Sequence, residues 1–306
     1  MTLFAPISEG RDDCKAGEAP ARSRASLSRV NTTAASAPSD APLASTRIGE
    51  GSRRVAFLHG LMGRGRNFTG PAKELGDDFT VELIDLPDHG ASPWTDRVDY
   101  REIADRVAAH LRAGLAADGP VHLLGHSMGG KVAMVLALRH PDLVDRLIVE
   151  DISPRVSPQA TDEFVHLLGT MLRMDLDAYD SRAEADAAMA EHVHDARVRG
   201  FLLQNLRRTA GHFAWQPNVA MLFEHLREIG SFPDPVVPED PERVFDHPVL
   251  WLAGAESDYV QDEDVPRMKE LFPRVVRVTV RDAGHWLHAD QPEAFVSAVR
   301  TFLTAD

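Results

Sequence analysis

Val121-His122-Leu123-Leu124-Gly125-His126-Ser127-Met128-Gly129-Gly130 decides how the rest of this chain is read. Three of the first four residues are apolar, Gly-x-Ser-x-Gly follows, and a helical pattern starts at once. Strand, tight turn and helix start are the setting in which a serine serves as a nucleophile. A serine hydroxyl is a weak nucleophile unless it is exposed and set beside a base, and the sharp turn lifts Ser127 clear of the sheet. Gly125 and Gly129 leave room where a Cβ would meet neighbouring backbone. The helix N-terminus offers free N–H groups and positive partial charge to an oxyanion formed beside it. The plainer alternative is a glycine-rich turn with a solvated serine. The strand before and the helix after argue against it.

Working back towards the N-terminus, 55–58 is a short apolar run that reads as a buried strand. His59-Gly60-Leu61-Met62-Gly63 follows it, and a turn after an early strand can aim a backbone N–H at an oxyanion. The expected donors are the N–H groups of Leu61 and Met128. A short helix is expected over 68–75 and a strand over 80–85. Asp85, Asp88 and His89 resemble metal ligands, but Pro87 and Gly90 among them favour a structural turn. Ile103, Val107, Leu111 and Leu115 recur every fourth residue, so 101–115 is an amphipathic helix. Beyond the central stretch the helix runs to His140, and Pro141 stops it. Residues 147–149 form another buried strand, closing on Glu150-Asp151-Ile152-Ser153-Pro154. Short apolar strands alternating with helices imply a parallel α/β sheet, whose ligands bind at the strands' carboxyl ends. His59, Ser127 and Asp151 all fall at that edge.

From about 155 to 246 the pattern turns to helices only, at 160–174, 182–194, 198–209 and 218–229. Such an insert would lie over the sheet edge as a cap, shielding the site and shaping an acyl pocket. A Pro-rich return leads to strands at 249–252 and 275–280 and a closing helix at 292–303. His285 stands on the loop after the last strand, later in the chain than Ser127, which is the order expected of a general base. His288 is its nearest competitor and reads as structural.

Composition sets outer limits. At 306 residues the chain allows one large domain or two small ones, and 43% apolar residues suffice for a sizeable core. A net charge of −14 argues against nucleic acid and anionic membrane surfaces. The single cysteine, Cys14, rules out an internal disulfide framework. No run of eighteen apolar residues is present, so membrane insertion is not expected. Residues 1–44 are rich in Ala, Ser, Pro and Thr and read as a disordered extension without an apolar signal segment, which makes a cytoplasmic protein the expectation. The domain reading is therefore 1–44 extension, 45–154 with 247–306 as core, and 155–246 as cap.

Taken together, residues 45–304 resemble the α/β-hydrolase superfamily. Gly125-His126-Ser127-Met128-Gly129-Gly130-Lys131, Asp151-Ile152-Ser153-Pro154, Phe201-Leu202-Leu203-Gln204-Asn205-Leu206 and Gly284-His285-Trp286-Leu287-His288 are similar to the YbfF-type esterase group, related to mitochondrial α/β-hydrolase domain proteins. The resemblance implies a mostly parallel sheet flanked by helices, with a helical cap inserted after the sixth strand. It also implies a serine–histidine–aspartate site, no cofactor or metal, and small acyl esters or thioesters as substrates. The group's usual Arg-Asn-His-Gly segment is Pro87-Asp88-His89-Gly90 here.

Two carboxylates compete to orient His285. The usual acid turn, Gly-x-x-Asp, reads Gly254-Ala255-Glu256-Ser257, with Asp258 one residue late. Asp151 ends the strand after the nucleophile. The resemblance favours Asp151, with Ser257 helping to hold the site, and Asp258 stands as the alternative. The reading is a serine hydrolase acting by acyl transfer. Its rivals are a carbon–carbon bond hydrolase, a cofactor-free haloperoxidase, and a non-catalytic small-molecule binding or receptor protein. Sequence leaves the oligomeric state open.

Overall fold

The computed structural model describes residues 41–156, 158–209 and 211–305. The expected extension lies outside the described residues as far as 40. Residues 41–44 do not belong to it. Leu43 is only 6% exposed, and the Ala44 carbonyl accepts the Asp85 N–H at 2.9 Å, so the packed chain begins ahead of the first strand.

The first half alternates strand and helix: β1 Ser45–Ile48, β2 Arg53–Leu58, α1 Thr69–Leu75, β3 Phe79–Ile84, α2 Tyr100–Ala113, β4 Val121–His126, α3 Met128–Arg139 and β5 Val144–Glu150. The insert follows, with α4 Pro158–Arg173, α5 Arg182–Ala190, α6 Ala196–Leu203, β6 Leu206–Thr209, β7 His212–Trp215, α7 Val219–Glu224 and α8 Leu226–Gly230. The chain closes with β8 Val249–Gly254, α9 Val265–Leu271, β9 Val275–Val280, α10 Leu287–Asp290 and α11 Pro292–Thr304. Seven strands form one sheet in the order β1-β3-β2-β4-β5-β8-β9. Only β1 runs antiparallel, pairing with β3.

Alternation along each strand divides the core between two faces. Ala56, Leu58, Leu123, Val149 and Trp251 pack on one side against α2 and α3. Val55, Phe57, Leu124, Ile148 and Leu250 pack on the other against Phe68, Leu75, Phe295 and Val299. Each large side chain buried this way contributes about 1.5–3 kcal/mol over leaving it exposed. α3 follows the Ser127 turn directly and is buried along Met128–Leu138, which anchors that turn in the core. Asp99 starts α2 by accepting the N–H groups of Arg101 and Glu102.

Two expectations about the insert change. Among the described residues it follows the fifth strand, β5, and not a sixth, because Ser45–Ile48 is the first strand they contain. It is also not purely helical. The helix expected over 198–209 ends at Leu203, and Leu206–Thr209 pairs antiparallel with His212–Trp215. Thr209, Phe213 and Trp215 favour a strand, and Gly211 takes φ +93° in the turn between them.

Candidate active site

Ser127 stands between β4 and α3 with φ 52° and ψ −120°, a conformation a side chain adopts only when its surroundings impose it. The surroundings are backbone. The Ser127 N–H donates to the Glu150 carbonyl at 3.0 Å, and its carbonyl accepts the Lys131 N–H at 3.1 Å. A Cβ on Gly125 would lie 2.2 Å from the Gly129 carbonyl oxygen, and one on Gly129 would lie 2.4 Å from that of His59. Glycine at both positions is therefore steric necessity.

Asp151 follows β5 directly, is fully buried, and also has positive φ, at 50°. Its Oδ1 accepts the Gly254 N–H at 2.8 Å. Its Oδ2 accepts the Ser257 hydroxyl and lies 2.8 Å from His285 Nδ1. A carboxylate only accepts, so Nδ1 carries the proton and Nε2 is left as an acceptor. Asp258 is exposed, and its carbonyl accepts from Gln261. The two residues after Asp151 are pinned as well. The Ile152 carbonyl accepts from Trp251 Nε1 at 2.8 Å, and the Ser153 hydroxyl donates to Asp264 Oδ2 at 2.6 Å.

Three further groups hold the His285 loop, and none carries a signal in sequence by itself. His126 Nε2 donates to the His285 carbonyl at 2.8 Å. The Tyr259 ring stacks on the His285 imidazole with centroids 3.8 Å apart. Glu150 accepts both the N–H and Nδ1–H of His288, at 3.1 and 2.7 Å, so His288 is a structural tie. Consecutive residues, Glu150 and Asp151, thus grip His288 and His285. His126, Glu150 and His288 bring possible metal-ligand atoms within 4.8 Å of one another, but hydrogen bonds of this loop already engage all three. Burial, reinforced by His285 and His288, holds the His126 pKa well below its ordinary value, so the ring is neutral.

Leu61 and Met128 flank the serine, Met128 as the first residue of α3. Two buried histidines brace the Leu61 loop. His59 Nε2 accepts the Leu86 N–H at 2.9 Å and His89 Nε2 accepts the Met62 N–H at 3.1 Å. Burial lowers the pKa of each, keeping both rings neutral acceptors. Asp85 accepts the N–H groups of Gly65 and Ala91, and Asp88 accepts that of Thr95. These hydrogen bonds fold 85–95 into a turn.

Two cavities meet at Ser127. One, of about 30 Å³, is lined by Leu61, Met128, Lys131, Ile152, Leu226 and Ile229 and does not include His285. The other, of about 410 Å³, includes His285, Asn67, His126, Phe201 and Trp286. Lys131 Nζ, at the edge of the small cavity, donates to the carbonyls of Gly230 and Ser231 at 2.8 and 2.7 Å. This ties α3 to the end of α8.

Ser127, Asp151 and His285 thus come together at one edge of a mostly parallel sheet. The model of the Alpha/beta hydrolase family fits residues 55–298. The chain belongs to that family. This hydrolase is 36% identical over 256 residues to "sn-1-specific diacylglycerol lipase ABHD11" of Mus musculus, covering 81% of this chain and 80% of the relative. It is 29% identical over 252 residues to "Esterase YbfF" of Escherichia coli, covering 81% and 92%. Among solved structures, "Marine microorganism esterase" superposes with a TM-score of 0.80 at 33% identity, covering 85% of this chain and 99% of that one. Among the described residues of the hydrolase, no helix is long and apolar enough to cross a membrane.

Proposed function

We propose that this hydrolase cleaves carboxylic esters or acyl thioesters through a serine acyl-enzyme, with Ser127, His285 and Asp151 as the triad. The observation that carries the reading is the 2.8 Å Asp151–His285 contact at a cavity that Ser127 also lines. His285 Nε2 takes the Ser127 proton as Oγ attacks the acyl carbon. The N–H groups of Leu61 and Met128 receive the oxyanion. Asp151, itself held by Ser257 and Gly254, keeps the tautomer and stabilises the imidazolium. His285 then protonates the leaving group and afterwards activates the water that releases the acid. The names of the relatives, two esterases and a lipase, support ester hydrolysis.

The cavities support an assignment of substrate halves. The leaving group must lie where His285 can protonate it, so it takes the larger cavity. The acyl group takes the smaller, whose volume of about 30 Å³ favours a short chain. Short acyl chains on larger alcohols or thiols are therefore the favoured substrates. The insert acts as a cap, since Phe164 lines both cavities.

The test is fluorophosphonate labelling with p-nitrophenyl acetate turnover, comparing the unmodified chain with Ser127→Ala. Labelling and turnover should vanish in the variant, with turnover falling by several orders of magnitude and the melting temperature kept. Near-unchanged turnover would overturn the mechanism.

A further inference from the structure

The chain's net charge is −14, yet one patch runs the other way. Arg64, Arg66, Arg182 and Arg207 gather where the loop after β2 meets the turn between α6 and β6. Arg64, 4% exposed, donates to the Gln204 carbonyl at 3.1 Å and to Gln216 Oε1 at 3.2 Å. Arg207 Nε donates to the same Gln216 Oε1 at 2.6 Å, so two guanidinium groups share one neutral oxygen. Arg182 donates to the carbonyls of Leu203, at 2.8 Å, and Leu206. Arg66 is exposed.

Every one of those acceptors is uncharged. Among the described residues, no carboxylate forms an ion pair with any of the four. Asp85, the acid whose charge Arg64 and Arg207 feel, spends both oxygens on the N–H groups of Gly65 and Ala91. The crowding shows in Arg64, whose pKa falls to about 10, first through burial and then through Arg66, Arg207 and Arg182.

Asn67 joins the patch to a cavity. Asn67 lines the cavity that holds His285. Its Nδ2 donates to Gln204 Oε1 at 2.8 Å and its Oδ1 accepts the Arg64 N–H at 2.8 Å, so it stands between cavity and cluster. A guanidinium fork matches the oxygens of a phosphate, and several forks together suit an anion of more than one charge.

We infer that this arginine cluster binds a phosphate-bearing portion of the substrate's leaving group, outside the cavity that holds the scissile bond. The inference rests on the proposed assignment of that cavity to the leaving group. It names a leaving group that is larger than the cavity and anionic at its far end. Net charge conceals this preference.

The test uses acetate esters whose alcohol ends in a phosphate on linkers of increasing length, each beside its dephosphorylated counterpart. At one or more lengths the phosphate should raise kcat/KM at least tenfold, through KM. The double variant Arg66→Gln with Arg207→Gln should abolish that advantage, while Arg97→Gln, a remote charge paired with Glu102, should keep it. Melting temperatures check folding, and if the double variant does not fold, exposed Arg66→Gln alone should weaken the advantage. Calorimetric titration with inorganic pyrophosphate should give saturable binding that the double variant weakens at least tenfold. No phosphate advantage at any length, or one that survives the double variant, overturns the inference. So does cluster-dependent binding to phosphatidylglycerol vesicles without that advantage, which would assign the patch to a membrane surface. If the neutral esters are cleaved and pyrophosphate does not bind, only this inference falls. If no ester is cleaved, the proposed reaction falls first.

Discussion

Asp151→Asn is the perturbation with the largest consequence for the smallest change in shape. Asp151 accepts from three donors: the Gly254 N–H at 2.8 Å, the Ser257 hydroxyl, and His285 Nδ1 at 2.8 Å. Asparagine has one oxygen and one NH₂. If its oxygen faces His285, the NH₂ confronts the Gly254 N–H, donor against donor. If it flips, the NH₂ faces Nδ1 and drives the proton to Nε2, leaving the base unable to accept from Ser127. Both orientations also remove the charge that stabilises the imidazolium. The expected loss in kcat is about 10³–10⁴-fold, or roughly 4–5.5 kcal/mol at 1.36 kcal/mol per decade. Removing a buried charged acceptor should also lower folding stability by about 1.5–3 kcal/mol. The assay is p-nitrophenyl acetate turnover at fixed pH with urea unfolding of the same preparations, and exposed Asp258→Asn run alongside should stay within about twofold. A ranking in which Asp258→Asn is the more damaging, or an Asp151→Asn enzyme within tenfold of the unmodified one, would refute the reasoning.

Three other outcomes are expected. Burial, then Arg155, holds the Lys131 pKa down to about 7 against an ordinary 10.5, so between those values the unfolded chain binds the extra proton. This group's contribution to stability therefore rises with pH across that window and is flat below it. The stability difference between the unmodified chain and Lys131→Met should grow by up to about 1.4 kcal/mol per pH unit from pH 7 upwards, and urea midpoints that differ by a constant from pH 6 to 9 would contradict it. Gly125→Ala should yield no correctly folded protein, because its Cβ would fall 2.2 Å from the Gly129 oxygen; a soluble variant with an unchanged melting temperature would show that the turn yields. Removing residues 1–40 should leave turnover and melting temperature nearly unchanged, whereas removal through residue 48 strips Leu43 and β1 and should lower the melting temperature by several degrees.

The parts legible in sequence were those set by neighbours along the chain. Gly125, Ser127 and Gly129 announce a turn that any five-residue window reveals, and His285 follows from its place after the last strand. Which acid meets His285 depends on which strand end the loop reaches, and that is decided by the sheet order β5-β8-β9. In sequence Asp151 and Asp258 therefore stay in competition, and in the fold it is Asp151 that contacts His285 while Asp258 is exposed. Glu150, His126 and Tyr259 each look ordinary in their own segments, and their convergence on one loop is purely tertiary. The β6–β7 hairpin escaped because two four-residue strands beside helices present too short an alternation to outweigh a helical pattern. The arginine cluster escaped because its members are scattered from 64 to 207, and a summed charge erases position.

The pinning of Asp151, Ile152 and Ser153 to the far side of the sheet edge has a mechanical consequence. These residues are the root from which the insert grows, so any displacement of α4 pulls on the chain a few positions from the Asp151 carboxylate. Trp251, Gly254 and Asp264 each hold one of the three in place. They act as a bulkhead: a displacement arriving from the insert meets the Ser153 and Ile152 anchors before it meets the carboxylate. The insert is thereby free to rearrange around a guest, or to diverge in sequence, while the acid and the histidine it orients keep their alignment.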